Sequence, residues 1–137
     1  MNDCVFCKIV QGEIPSAKVY EDDDAMAFLD IHPVKKGHTL VIPKKHFETI
    51  MVIPDELLKK VIAIVKKLTP AVIKAVNADG AVVTQTNNEA AGQSVPHLHF
   101  HIIPRYRNDG LKFWPQGKHE EGEIRQFQEK IKKALTY

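Results

Sequence analysis

The heptapeptide His97-Leu98-His99-Phe100-His101-Ile102-Ile103 constrains this chain more than any other stretch, because polar and apolar residues alternate from His97 through Ile102. A period of two is the signature of a β-strand with one face in a core. The segment predicts a strand over 97–103, with Leu98, Phe100 and Ile102 turned inward. His97, His99 and His101 then share the other face, spaced about 7 Å apart. Solvation alone does not select histidine at three successive positions, since threonine, lysine or glutamate serve a wet face equally well. Imidazole is the side chain that acts as nucleophile, proton carrier or metal ligand near neutral pH.

The remaining pattern supplies partners for that strand. Ala17–Glu21 and Ala25–Leu29 read as strands around the acidic turn 22–24, and Thr39–Ile42 as a third strand closed by Pro43. Ala81–Thr86 is a fourth, and 97–103 a fifth. Residues 4–10 allow one short helical turn. Pro54 and Asp55 open a long helix over 55–77 whose apolar residues (Leu58, Val61, Ile62, Val65, Leu68, Val72, Val76) recur at helical spacing. Pro70 lies within it and predicts a kink or a short break. Residues 110–122 read as irregular, and Glu123–Leu135 as a C-terminal helix with Ile124, Phe127, Ile131 and Leu135 on one face. The expectation is one α+β domain over residues 1–137, with a mainly antiparallel five-stranded sheet.

Composition narrows the function. The chain has 137 residues and a net charge of only +2, from 19 basic and 17 acidic residues, too balanced for binding nucleic acid by charge. No apolar run approaches the ~20 residues of a membrane span. The first residues lack the basic and apolar regions of a signal peptide, so a cytoplasmic, reducing setting is expected. There, Cys4 and Cys7 read as a metal or redox pair rather than a structural disulfide. No second C-x-x-C is present, so a tetrahedral zinc site would need histidines, of which the chain has seven. A redox pair usually follows a strand, and none precedes Cys4.

Ahead of the histidines, Gly92 permits close backbone approach to a ligand, while Gln93 and Ser94 offer donors suited to a phosphate. Gly37, His38 and His46 frame the apolar strand 39–42, and Lys44 and Lys45 read as solvated charges.

Taken together, these residues resemble the histidine-triad (HIT) family, in its Hint-like branch. The likeness is carried by the triad at 97–103, Gly92-Gln93-Ser94, Phe28-Leu29-Asp30 through Pro33, the run from Gly37 to His46, and the opening Cys4 to Pro15. It extends over about residues 4–106 and leaves 107–137 as an extension. The resemblance implies a nucleotide hydrolase in which His99 attacks the α-phosphorus of an adenosine (purine) nucleotide and forms a nucleotidyl-histidine. It further implies that His101 bonds the strand backbone and holds the tautomer of His99. His38 and Ser94 would face the leaving group, and Gln93 would hold the phosphate. Asp30 would bind the ribose hydroxyls, and Phe6, Ile9, Ile14, Phe28, Ile31 and Leu40 would line the base pocket. Asn87 would lie near the phosphate. A structural zinc would be held by Cys4, Cys7, His46 and His97.

The segment Phe113-Trp114-Pro115-Gln116-Gly117 is similar to a family ending that reaches the partner subunit's active site; packing within the chain is the alternative for Trp114. A homodimer is implied. Its sequence motive is that Ile64 and Ile73 lie off the Leu58–Val76 face. Two rival functions stand beside this reading. One is a metallohydrolase with His97, His99 and His101 on one catalytic metal, and the other is a non-catalytic nucleotide binder. A nucleoside phosphoramidate is the preferred substrate, with a dinucleoside polyphosphate or an aminoacyl adenylate as alternatives.

Overall fold

A computed structural model describes residues 3–135. The elements in chain order are α1 (Val5–Val10), β1 (Lys18–Glu21), β2 (Ala25–Leu29), β3 (Thr39–Pro43), α2 (Asp55–Ala75), β4 (Gly80–Gln85), β5 (Phe100–Arg105) and α3 (Glu123–Ala134). The five strands form one sheet in the order β1-β2-β3-β5-β4, antiparallel at every step. The fold is α+β, as the sequence predicts.

The central strands have both faces covered, and their alternation sorts residues between two cores. Ala25, Ala27, Val41, Phe100 and Ile102 face α2, where Val61, Ile64 and Val65 meet them together with Leu98 and Ile53. Met26, Phe28, Leu40 and Ile42 face the other way, toward Cys4 and Phe6 of the α1 region. His101 alternates with Phe100 and Ile102, so it emerges on the α1 side, at the surface that becomes the site.

Three expectations are corrected. First, the fifth strand begins at Phe100, so His97–His99 lie outside the ladder. There β4 ends, while β3 continues to Pro43 paired only with β2. Phe100 pairs with Gln85, the last residue of β4, and with Val41 of β3. Two residues beyond Val41, Pro43 has no N–H to give, and its carbonyl accepts from His97 Nε2 at 2.8 Å instead. Leu98 N–H donates to the Phe47 carbonyl at 2.7 Å.

Second, α2 runs unbroken through Pro70, where the Thr69 hydroxyl donates to the Val65 carbonyl at 2.7 Å. Third, the helix buries Ile64 and leaves Ile62 44% exposed, while Ile73 is half-buried. Ile64 therefore belongs to the core of its own chain and supplies no motive for a dimer. Nor does α3 cover α2: no residue of α3 is buried. Among the described residues, no helix is long and apolar enough to cross a membrane.

Gly37 joins the loop after β2 to β3. It has φ of +96°, and a Cβ there would come within 2.8 Å of Val76 Cγ1, so only glycine fits without displacing the end of α2.

Candidate active site and metal centre

A cavity of about 410 Å³ opens between α1, the β2–β3 loop and the histidine segment. Phe6, Ile9, Ile14, Phe28 and Leu40 line it, Ile31 forms a rim that is 85% exposed, and Asp30, Ser94, His99 and His101 bring the polar atoms. Val5, Pro15, Ser16, Leu29, His32 and Val95 also line it. Sequence reasoning missed these six; each lies within two residues of a position it named, and the curvature that turns them inward has no local signal.

Hydrogen bonds fix every tautomer in the cluster. His99 Nδ1 donates to the His97 carbonyl at 2.7 Å. Its proton is thereby assigned to Nδ1, and the Nε2 lone pair is left open on the cavity side. This corrects the role implied for His101: the carbonyl of His97 sets the tautomer of His99. His101 faces His38 instead. The Val34 N–H donates to His38 Nδ1 at 3.0 Å, so His38 carries its proton on Nε2 and donates it to His101 Nδ1 at 2.9 Å. His101 in turn carries its proton on Nε2. Asp30 Oδ2 stands 3.6 Å from His38 Nε2, and Oδ1 accepts from the His32 N–H at 2.8 Å. Phe6 packs edge-on against His99 with ring centroids 5.1 Å apart.

Burial pushes His38 and His99 below the ordinary imidazole range, while the Asp30 carboxylate pulls in the opposite direction. His101 is pushed down to about 4, first by burial and then by His99 and His38. The locked proton on His38 Nε2 gives a geometric reason: a protonated His101 would set two N–H groups against each other. His38, His99 and His101 are thus neutral near pH 7, and His99 presents a free lone pair rather than an imidazolium.

Gln93 and Asn87 are placed elsewhere. Gln93 Oε1 accepts from the Asn88 N–H at 2.7 Å, and Nε2 donates to the carbonyls of Glu48 and Val95 at 2.6 and 3.1 Å. Asn87 Oδ1 accepts from Ile50 N–H and from Gln85 Nε2, each at 2.8 Å, and Asn87 Nδ2 donates back to Gln85 Oε1. Neither side chain lines the cavity, and both tie the 86–96 loop to its surroundings. Gly92 ends a short 3-10 turn at φ of +97° with nothing near its missing Cβ, so its backbone conformation is what the turn requires. Lys44 pairs with Glu21 at 2.6 Å, away from the cavity. Trp114 is 83% exposed and is not packed into this chain, whereas Phe113, 76% exposed, lies under the Arg105 guanidinium at 5.0 Å.

The structure brings Cys4, Cys7, His46 and His97 together, with all four ligand atoms within 4.8 Å of one another. Cys4 Sγ lies 3.3 Å from His97 Nδ1, Cys7 Sγ 3.4 Å from His46 Nδ1, and Cys7 Sγ 3.6 Å from His97 Nδ1. A tetrahedron with Zn–S near ~2.3 Å and Zn–N near ~2.05 Å has S–N edges of about 3.6 Å. His97 is also in the ligating tautomer, since Nε2–H is spent on Pro43 and the Nδ1 lone pair faces the sulfurs. Without metal, burial first and the neighbouring Cys4 second push the Cys7 thiol up to about 11. Two thiolates and two imidazoles would close the coordination shell and leave no position for substrate, so the metal would be structural.

Asp30, His38 and His101 also cluster within 4.8 Å. There the tautomers oppose a metal, because Val34 holds the proton of His38 on the very nitrogen that would have to ligate. The three triad rings do not converge on one point: His97 belongs to the sulfur cluster, His101 to the Asp30 cluster, and His99 to neither. That geometry does not fit a single catalytic metal on the triad.

Comparison with known proteins agrees with this architecture. The chain matches the HIT domain over residues 11–108. A relative from Schizosaccharomyces pombe, named adenosine 5'-monophosphoramidase, is 41% identical over 134 residues, 96% of this chain and 98% of its own. A crystal structure from Streptococcus mutans superposes with a TM-score of 0.93 at 43% identity, covering 99% of this chain and 87% of that one. The crystal structure of a zinc-bound histidine triad family protein from Mycobacterium smegmatis gives a TM-score of 0.77 at 34% identity, covering 97% of this chain and 98% of the other. The triad, the sheet that carries it and these likenesses agree, and the chain belongs to the HIT family.

Proposed function

We propose that this protein is a nucleotide hydrolase that acts at the α-phosphate of an adenosine (purine) nucleotide through a nucleotidyl-histidine on His99, with nucleoside phosphoramidates as its preferred substrates. The observation that carries this reading is the open Nε2 lone pair of His99, held by the His97 carbonyl at the edge of an apolar cavity. The cavity falls in the size range of small-ligand sites, about 300–1,000 Å³. The name of the Schizosaccharomyces pombe relative supports nucleotide hydrolysis as the reaction class.

The base would lie among Phe6, Ile9, Ile14, Phe28 and Leu40, beneath the rim at Ile31. Asp30, with oxygen lone pairs to spare, would accept from the ribose hydroxyls. His99 Nε2 would bond to phosphorus as the bond to the leaving nitrogen breaks. The positive charge that this places on His99 is stabilised by the carbonyl accepting from Nδ1. His101 Nε2–H and the Ser94 hydroxyl would donate to the phosphate and the leaving group, with His38 orienting His101. Gln93 would act through the loop it holds rather than by touching phosphate, and Asn87 likewise. Water would then cleave the nucleotidyl-histidine to nucleoside monophosphate. Zinc would be bound by Cys4, Cys7, His46 and His97, in a reducing, cytoplasmic setting.

Steady-state rates on matched substrates test the reading: an adenosine phosphoramidate, an aminoacyl adenylate and a dinucleoside polyphosphate, all with the same adenylyl half. The phosphoramidate is expected to give the highest kcat/KM. A clear preference for the dinucleoside polyphosphate would reassign the substrate class, and no turnover of any of them would remove the enzyme reading in favour of a nucleotide binder.

The active unit is proposed to be a homodimer. Ile62, Val83, Phe113, Trp114, Ile124 and Ile131 are all exposed, apolar side chains that a two-fold interface would cover. Light scattering at micromolar concentration is expected to give the mass of two 15.5 kDa chains. A single-chain mass with full turnover would refute it.

A further inference from the structure

The nucleophile precedes the sheet. The β5 ladder starts at Phe100, so no strand pairing holds the backbone of His99. What holds it is the residue pair before it: the buried Leu98 through its Phe47 bond, and His97 through two side-chain anchors. One anchor is the Pro43 carbonyl, and the other is the cysteine cluster. His97 would thus serve a metal with its ring, while its carbonyl holds the ring of His99. Cys4 caps α1 and Cys7 lies in its first turn, with Cys4 Sγ accepting from the Cys7 N–H at 3.4 Å. The two sulfurs lie within 4.8 Å, close enough for a side-chain rotation to bring them to bonding distance. Cys4 is buried, whereas Cys7 is half-buried and open to a small oxidant.

We propose that Cys4 and Cys7 form a peroxide-sensitive latch on the active site: their oxidation to a disulfide expels zinc, releases His97 and loosens the His97 carbonyl from His99. The inference rests on the His99 chemistry proposed above only for its effect on turnover. In the first step the Cys7 thiolate attacks one oxygen of hydrogen peroxide. The O–O bond breaks, a sulfenic acid forms and hydroxide leaves. The Cys4 thiolate then attacks the Cys7 sulfur, the S–S bond forms, and the S–O bond breaks with loss of a second hydroxide. The two sulfurs lose two electrons and peroxide gains them. The disulfide sulfurs no longer carry the charge that bound the metal, so the zinc ion departs hydrated. A thiol reductant and zinc reverse the change.

The experiment uses the zinc-loaded full-length chain and graded hydrogen peroxide. Zinc release is read by a chromophoric chelator, and disulfide formation by an intact mass lower by two hydrogens. The state of His99 is read by the downfield proton resonance of its Nδ1–H, and turnover by an adenosine phosphoramidate. Zinc release and disulfide formation are expected to rise together, one for one. The His99 Nδ1–H resonance should broaden or vanish with them, and turnover should fall about tenfold, the loss typical when a supporting shell is removed. Reductant with zinc should restore all four. The variant Cys7→Asp keeps an anionic ligand without a second thiol; whatever its starting zinc content and turnover, neither should change with peroxide dose when read against its own undosed sample, and Cys7→His takes its place if the aspartate does not retain metal. A disulfide with zinc retained, zinc loss with an unchanged His99 resonance, or an equal loss of turnover in the single-cysteine variant would each overturn the latch. If wild type turns over none of the substrates, the functional reading fails while the zinc, mass and resonance measurements still decide the latch.

Discussion

Replacing His99 by alanine is expected to lower turnover at least about a thousandfold while the protein stays folded. The expectation follows from what His99 does and does not hold up. Its ring is buried beside Phe6 and makes one hydrogen bond, to the His97 carbonyl. Truncation opens a small cavity and leaves one acceptor unpaired, which costs about 1–3 kcal/mol, a loss a domain of this size can carry. Neither of the other triad histidines can take over the chemistry. His101 Nδ1 is occupied by His38, and its Nε2 carries a proton rather than a lone pair. The lone pair of His97 faces the cysteine sulfurs. Circular dichroism and a melting curve test the fold, and nucleotide affinity tests the pocket, whose apolar walls the substitution leaves in place. A folded His99→Ala protein with more than a tenth of wild-type turnover would remove His99 as the nucleophile.

The sequence discloses the site better than it discloses the strand that carries it. Alternation at 97–103 separates Leu98, Phe100 and Ile102 from the three histidines, and the cores obey that division. Yet alternation does not reveal where pairing stops. That is decided by neighbours far along the chain, the end of β4 at Gln85 and the missing N–H of Pro43. The helix phase shows the same limit. Adjacent apolar residues at 61–62 and 64–65 allow two stripes about 100° apart, and only the sheet beneath decides that Ile64 is buried and Ile62 exposed.

Polar residues are harder still. Gln93 and Asn87 read as phosphate donors because their chemistry permits it, but a sequence does not show that backbone and side-chain partners already use those donors. The tautomers are equally invisible, since they depend on single backbone groups at Val34, Pro43 and His97. In α3 the amphipathic pattern was legible and the helix is present, but none of its residues is buried, because periodicity identifies an apolar face without identifying what covers it.

Converting both cysteines to serine is expected to abolish zinc binding and to lower the melting temperature by about 10 °C or more, with a smaller effect on rate. Serine hydroxyls do not ligate zinc as thiolates do, and His46 and His97 alone supply half a coordination shell. The metal would tie α1, the segment after β3 and the segment before β5 at one point, and its binding energy contributes to folding. Here the sheet and the α2 core persist without it, so the loss is smaller than in a zinc finger, on the order of 3 kcal/mol, and each kcal/mol moves the midpoint by roughly 3–4 °C in a chain of this length. The rate should suffer about tenfold, equivalent to about 1.4 kcal/mol. The reason for the asymmetry is local. His97 keeps its Pro43 bond, and Leu98 stays in the core, so the carbonyl that orients His99 is loosened rather than lost. Calorimetry with metal analysis on wild type, wild type with chelator and Cys4→Ser/Cys7→Ser checks this, and the last two should converge. Wild type prepared without chelator that contains no zinc, or a double variant that melts with wild type, would show that the four residues hold no structural metal and that α1 is fixed by apolar packing, of Phe6 against Phe28, His97 and His99 and of Ile9 and Val10 against the same core.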